Sequence, residues 1–342
     1  MRYVIVGAGA VGGTIGGRLA QHGHEVVLMA RGRHAEVLAA DGLRLIAPDG
    51  EQSFRLPVVA SAADLQVTPE DVLVLSTKTQ DSAAVLRDLA ALTVAGTSRV
   101  AAELIPVFCA QNGVENERLA LRRFAHVYGV CVMLPASHLE PGVVLSQGAP
   151  YSGLLDLGRY PRGVDVTATT VAADLASSGF VSEPVEEVMR WKYAKLLRNL
   201  GNAVDALCSS VNGTNVTAGA EDLLSRARQE ALDCFAAAGI DVVSSEEWTS
   251  HRGGLVQIKP VAGQQRLGGS TWQSLARGAG TVEADYLNGE IVLLGRLHGI
   301  ATPVNAALQE QVNSAARQRV TPGSIDVEDL VEAVRRRSES AQ

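Results

Sequence analysis

The chain opens with Arg2-Tyr3-Val4-Ile5-Val6 and then breaks into glycines, Gly7-Ala8-Gly9-Ala10-Val11-Gly12-Gly13. A β-branched run followed by Gly-x-Gly-x-x-Gly predicts a strand, a tight turn and the start of a helix. Gly7 permits the sharp turn, Gly9 lets backbone approach an anion without a Cβ in the way, and Gly12 lets the helix pack close on the strand. The first N–H groups of that helix have no intrahelical acceptor and face a pyrophosphate. Glycines in turns are common, so the context decides. The helical segment Ile15–Ala20 and a second apolar strand, Val26–Met29, follow in the order that a dinucleotide-binding unit requires.

Outward from this motif, the first half alternates strand and helix patterns, as in a doubly wound parallel sheet. Leu43–Val59 reads as short strands around Pro48-Asp49-Gly50, and Val72-Leu73-Val74-Leu75-Ser76 as a buried strand. Ala83–Leu92 is helical, and Ile105–Cys109 is a strand that ends at the turn Gln111-Asn112-Gly113. Val127–Leu157 is strand-like, broken by Pro and Gly, and Val166–Ser177 is helical. Past Glu183 the spacing becomes that of long helices: Glu186–Val211, Glu221–Ala238, Val282–His298 and Ala306–Arg317. Glu246–Gly269 is polar and glycine-rich, and reads as a loop near the cleft or a lid. The expected architecture is α/β: a Rossmann-type doubly wound parallel sheet over residues 1–183, then an all-helical domain over 184–342, with a cleft between them.

Composition sets the class. At 342 residues the chain suits two domains; 46% hydrophobic and 20% charged residues describe a globular protein. A net charge of -7 argues against nucleic acid as a partner. The four cysteines are scattered without metal-ligand spacing, the histidines form no ligand cluster, and no apolar run reaches membrane-spanning length. A cytoplasmic protein with buried thiols and no metal is expected, and Arg335–Arg337 reads as a solvated helix end.

The end of the second strand selects the cofactor. An acid there would bond the ribose hydroxyls of NAD, but this chain reads Met29-Ala30-Arg31-Gly32-Arg33. A guanidinium pairs with a 2′-phosphate, so NADP(H) is favoured, against the plainer reading of Arg31 and Arg33 as surface cations. A second segment carries the chemistry: Arg190-Trp191-Lys192-Tyr193-Ala194-Lys195-Leu196-Leu197-Arg198-Asn199. At about 100° per residue, Lys192, Lys195, Asn199 and Asn202 share one polar arc beside an apolar stripe. That arc reads either as a solvated face or as a row of hydrogen-bonding groups for a ligand.

These residues resemble those of the ketopantoate reductase family (2-dehydropantoate 2-reductases) over nearly the whole chain. The matching pieces are Gly7-x-Gly9-x-x-Gly12-Gly13, Thr77-Lys78-Thr79-Gln80-Asp81, Gln111-Asn112-Gly113, Lys195-Leu196-Leu197-x-Asn199, Val282–Gly289 and Gly299-Ile300-Ala301-Thr302-Pro303-Val304-Asn305. The resemblance implies NADPH-dependent reduction of a small 2-oxo acid, ketopantoate to pantoate on the route to pantothenate. It implies Lys195 as the proton donor to the ketone oxygen, with Lys192 its competitor. Glu283 would bind the substrate's hydroxyl end or steer the lysine, and Asn199, Ser270 and Asn202 would bond the substrate. Asn112 would lie between nicotinamide and substrate. Gly7, Ala8, Gly9, Ala10, Val11, Gly12, Arg31 and Lys78 would hold the cofactor. A homodimer is an option.

Three features depart from the family pattern, all on the substrate side. A second asparagine is expected where Ala203 stands, the family's Ser-Met-x-Gln-Asp reads Ser270-Thr271-Trp272-Gln273-Ser274 with a bulky indole and a lost carboxylate, and Glu246–Gly269 looks like added length. Two alternatives follow: reduction of a different ketone or 2-oxo acid, or a non-catalytic NADPH-binding redox sensor.

Overall fold

Strand Arg2–Val6 alternates its side chains between two cores. Tyr3 and Ile5 join Leu28, Val74 and Phe108 on one face, while Val4 and Val6 join Val27, Leu73, Leu75 and Val107 on the other. A strand buried on both faces is covered by helices, as in parallel sheets. The computed structural model describes residues 1–208, 218–261 and 268–340. Its main sheet has seven strands in the order Leu154–Arg159, Val127–Met133, Val107–Cys109, Asp71–Leu75, Arg2–Val6, Glu25–Met29, Val58–Val59. All neighbours are parallel except the first pair. The chain starts in the middle, winds to one edge and then returns to wind to the other. The order therefore reverses beside Arg2–Val6, the place where such sheets bind ligands. A second, four-stranded sheet contains Leu43–Ala47 and Val143–Ser146, and helix Ala10–Gln21 packs against both sheets.

The chain divides into two compact units. The first comprises Met1–Lys192 with Val243–Arg266, and the second Tyr193–Val242 with Leu267–Gln342. The second is helical: Asn202–Cys208, Ala218–Ala238, Ser270–Ala276, Asn288–His298, Pro303–Gln318 and Val327–Ser340. Leu207, Leu223, Leu308, Val312, Leu330 and Val334 form its core. Helix Asn288–His298 ends at Gly299, in the left-handed region at φ 72°, and Pro303 starts the next. That start is capped from a distance, the Glu230 carboxylate accepting from the backbone N–H groups of Val304 (2.8 Å) and Asn305 (2.9 Å). The α/β expectation, with a helical C-terminal part, therefore holds.

Two local expectations are corrected. Glu186–Val211 is not one helix: Val188–Asn199 ends, and Asn202–Cys208 begins after Leu200-Gly201. Glycine is a poor helix former, and the Leu200 carbonyl released at the break accepts from Asn288 Nδ2 at 3.2 Å. Glu246–Gly269 is not simply a loop, since it carries helix Ser245–Arg252 and strand Val256–Ile258, which pairs with Gly148–Pro150. Residues 209–211 and 262–267 of these two expected segments lie outside the described residues. The C-terminal arginines sit on helix Val327–Ser340, which buries Val327, Leu330 and Val334. No described helix is long and apolar enough to cross a membrane.

Candidate active site

At the glycine turn, Gly7 adopts φ 103°, and a Cβ there would come within 2.8 Å of the Thr77 nitrogen. A Cβ on Gly12 would run into the Gly7 carbonyl and the Ser76 hydroxyl, whereas Gly9 faces open space. The turn is held from both sides. Gly7 and Ala8 donate to the Met29 carbonyl at 3.0 and 3.1 Å, and Ser76 Oγ donates to the Gly7 carbonyl at 2.9 Å. Helix Ala10–Gln21 has neither a capping side chain nor an acid in its first turn. Its positive end is therefore left for an anion, which fits a dinucleotide pyrophosphate against Gly9, Ala10 and Val11.

One part of this clamp is invisible in the motif. His34 Nε2 donates to the Ala8 carbonyl (2.7 Å), and its Nδ1 accepts from Gly142 N–H (3.0 Å). Those two roles require a neutral ring, and burial does lower the His34 pKa below the ordinary imidazole value.

The neighbouring strand ends are tied together by buried polar groups. Gln111 Nε2 donates to the Thr77 carbonyl (2.7 Å) and to Ser82 Oγ (2.9 Å). Ser82 donates to Asn116 Oδ1 (2.9 Å), and Asn116 Nδ2 to Thr79 Oγ1 (3.0 Å). This chain fixes the Lys78 turn against the Gln111-Asn112-Gly113 turn, where Asn112 is half-buried and Gly113 has φ 78°. Lys78 itself precedes helix Thr79–Ala90.

Lys192 belongs to this network. Its ammonium is buried, 2.6 Å from Glu117 Oε1, and donates to the carbonyls of Gln111 (2.9 Å) and Val130 (3.3 Å). Burial pushes the Glu117 carboxyl up while the Lys192 charge pulls it down. The single polar arc expected from Lys192 to Asn202 is thus not one surface. Lys192 is committed to the first unit, and Asn202 stands beyond a helix break. Of the two arginines, Arg33 pairs with Glu36 on its own helix (3.1 Å), and Arg31 pairs with Asp81 (2.9 Å).

In the second unit, Lys195 and Asn199 lie one turn apart on helix Val188–Asn199. Asn199 is 5% exposed, and its Nδ2 has no hydrogen-bond partner among the described residues. Asn202 starts the next helix, on which Ser270–Ala276 packs, and Gly269 N–H donates to Asp205 Oδ2 (3.2 Å). A Cβ on Gly269 would lie 3.6 Å from Asn202 Oδ1, so the residue before Ser270 stands beside Asn202. Glu283 is 9% exposed and precedes the single turn Ala284–Tyr286. Ala203 is buried in the helical core, and Trp272 packs against that core.

Residues 3–162 match the family model described as Ketopantoate reductase PanE/ApbA, and residues 187–316 match Ketopantoate reductase PanE/ApbA C terminal. The chain belongs to the ketopantoate reductase family. As a member it is an NADP-dependent oxidoreductase acting on CH–OH groups, and the sensor alternative falls. It is 31% identical over 325 residues to a 2-dehydropantoate 2-reductase of Halobacterium salinarum, covering 93% of this chain and 99% of that protein. The Pyrococcus horikoshii 2-dehydropantoate 2-reductase is 28% identical over 320 residues, 90% of this chain and 95% of that one. Among solved structures, the PanE/ApbA family ketopantoate reductase of Ralstonia eutropha JMP134 aligns with TM-score 0.74 at 26% identity, over 93% and 99% of the two chains. D-mandelate dehydrogenase, solved with NADH and anilino(oxo)acetate, shares the fold of this ketopantoate reductase family member at TM-score 0.75 and 24% identity, over 93% and 99%.

Proposed function

We propose that this protein reduces 2-dehydropantoate to pantoate, with Lys195 as general acid. Asn199 carries the reading. A buried amide with an unused donor is costly in a folded protein, and it stands one turn beyond the lysine that the family pattern singles out. A substrate carboxylate or hydroxyl oxygen would accept from it. Bound NADPH supplies hydride to the carbonyl carbon. The chain's part is then to hold the dinucleotide through Gly7–Gly12, Lys78 and Asn112, with Arg31 at the 2′-phosphate. Lys195 delivers a proton to the ketone oxygen, where negative charge builds. Ser270 and Asn202 orient the acid, and Glu283 steers the lysine or the substrate hydroxyl. Lys192 is not the donor in this reading, because its ammonium serves Glu117 and two backbone carbonyls.

A second reading keeps the chemistry and changes the acid. It rests on Ala203, buried in the helical core where the family pattern has an asparagine, and on Trp272, a bulky indole packed against that core. The proposed partners are a small 2-oxo acid and, as an assembly, a second copy of the chain. The net charge of -7 would repel a phosphate backbone. The four free cysteines fit a reducing cytoplasm. The test is steady-state NADPH oxidation with ketopantoate and a panel of 2-oxo acids of increasing bulk. Saturable turnover of ketopantoate supports the first reading; turnover of a bulkier acid alone supports the second.

A further inference from the structure

Three strands end level around the glycine turn, Val6 pairing with Met29 on one side and with Leu75 on the other. The chain leaving Met29 reaches Arg31 two residues later. The chain leaving Leu75 reaches Asp81 in the first turn of helix Thr79–Ala90. Arg31 Nη2 and Asp81 Oδ2 meet at 2.9 Å, so an ion pair joins the two flanks of the turn. The side chains are 73% and 38% exposed, which makes the pair weak and exchangeable. In this fold the adenosine ribose lies beyond the second strand, where a carboxylate takes a 2′-hydroxyl and an arginine takes a 2′-phosphate. This chain brings one of each to that place, in contact with each other.

We propose that Asp81 is a specificity-determining residue that holds down the preference for NADP(H) over NAD(H). The proposal rests on the reading of Arg31 as the partner of the 2′-phosphate. A 2′-phosphate must displace the Asp81 carboxylate from the guanidinium or lie beside it, and two anions on one cation repel. A 2′-hydroxyl meets no such opposition and can donate to the same carboxylate. The arginine thus selects the phosphorylated cofactor, and the aspartate reduces the margin.

The test measures dissociation constants of NADPH and NADH by nicotinamide fluorescence for the wild type, Asp81→Asn and Arg31→Ala. Asp81→Asn should tighten NADPH by about fivefold without tightening NADH, and the gain should shrink at high salt. An unchanged NADPH-to-NADH ratio in Asp81→Asn overturns the proposal. This holds even if the variant melts earlier, because Asp81 would then serve only the first turn of its helix. Arg31→Ala reads the underlying assignment separately. It should weaken NADPH and spare NADH, and unchanged NADPH affinity would defeat the Arg31 reading and the proposal with it.

Discussion

Around the glycine turn the first unit closes on itself. Met29, Ser76 and His34 hold the turn, Gln111, Ser82 and Asn116 tie the next two strand ends together, and Lys192 meets Glu117 below them. In the second unit, the candidate substrate side chain Asn199 is buried, with its amide nitrogen unused among the described residues. The first region holds its geometry by internal bonds and offers backbone N–H groups to a ligand. The second keeps a side-chain donor in reserve. Substitutions should therefore separate cofactor binding from chemistry, and stability from activity.

The sharpest break is Lys195→Ala. Turnover should fall by about a hundred- to ten-thousandfold while NADPH affinity, read by fluorescence titration, is retained. Joint loss of both would show that the two regions are not separable. Next is Lys192→Met, which strands a buried carboxylate. Urea denaturation should show a loss of about 3–5 kcal/mol, with recovery when Glu117→Leu is added. Asn199→Leu should cost about ten- to a hundredfold in kcat/KM and leave stability equal or about 1 kcal/mol higher, since it removes an unpaired buried donor. Lowered stability with intact kinetics would make Asn199 a structural residue.

The smallest expected effect concerns His34. Its folded pKa lies below the unfolded one, so the unfolded chain takes up the proton first as pH falls. The stability that neutral His34 contributes is complete above the unfolded imidazole value and is lost on acidification through that value towards the lower folded one. Melting temperatures measured from neutral to mildly acidic pH should fall less steeply for His34→Gln than for the wild type.

The glycine turn was legible because a positive φ and a helix-to-strand close approach leave only glycine possible at Gly7 and Gly12. Helices Ala218–Ala238 and Pro303–Gln318 were legible because their apolar stripes are repeated over several turns, whereas the expected Val282–His298 is an α-helix only from Asn288. Helix Ser245–Arg252 was not, because Trp248 is its one large apolar residue and periodicity has nothing to register. Helix Gly32–Asp41 escaped for a similar reason, burying only Ala35 and Leu38. Lys192 misled because helical spacing reports direction around an axis, whereas its role depends on Glu117, which is remote in sequence.

The return of Val243–Arg266 to the first unit has a consequence for synthesis. Arg252 lies buried between Trp191 (4.3 Å) and Trp248 (4.9 Å), and its Nη2 meets the fully buried Asp156 at 2.6 Å. A ribosome that has made only the first 192 residues has made a nucleotide-binding unit whose Asp156 has no guanidinium to meet it. The buried pair of Arg252 and Asp156 can form only once the helix that carries Arg252 has emerged. Although its strands come early in the chain, this unit completes its fold late.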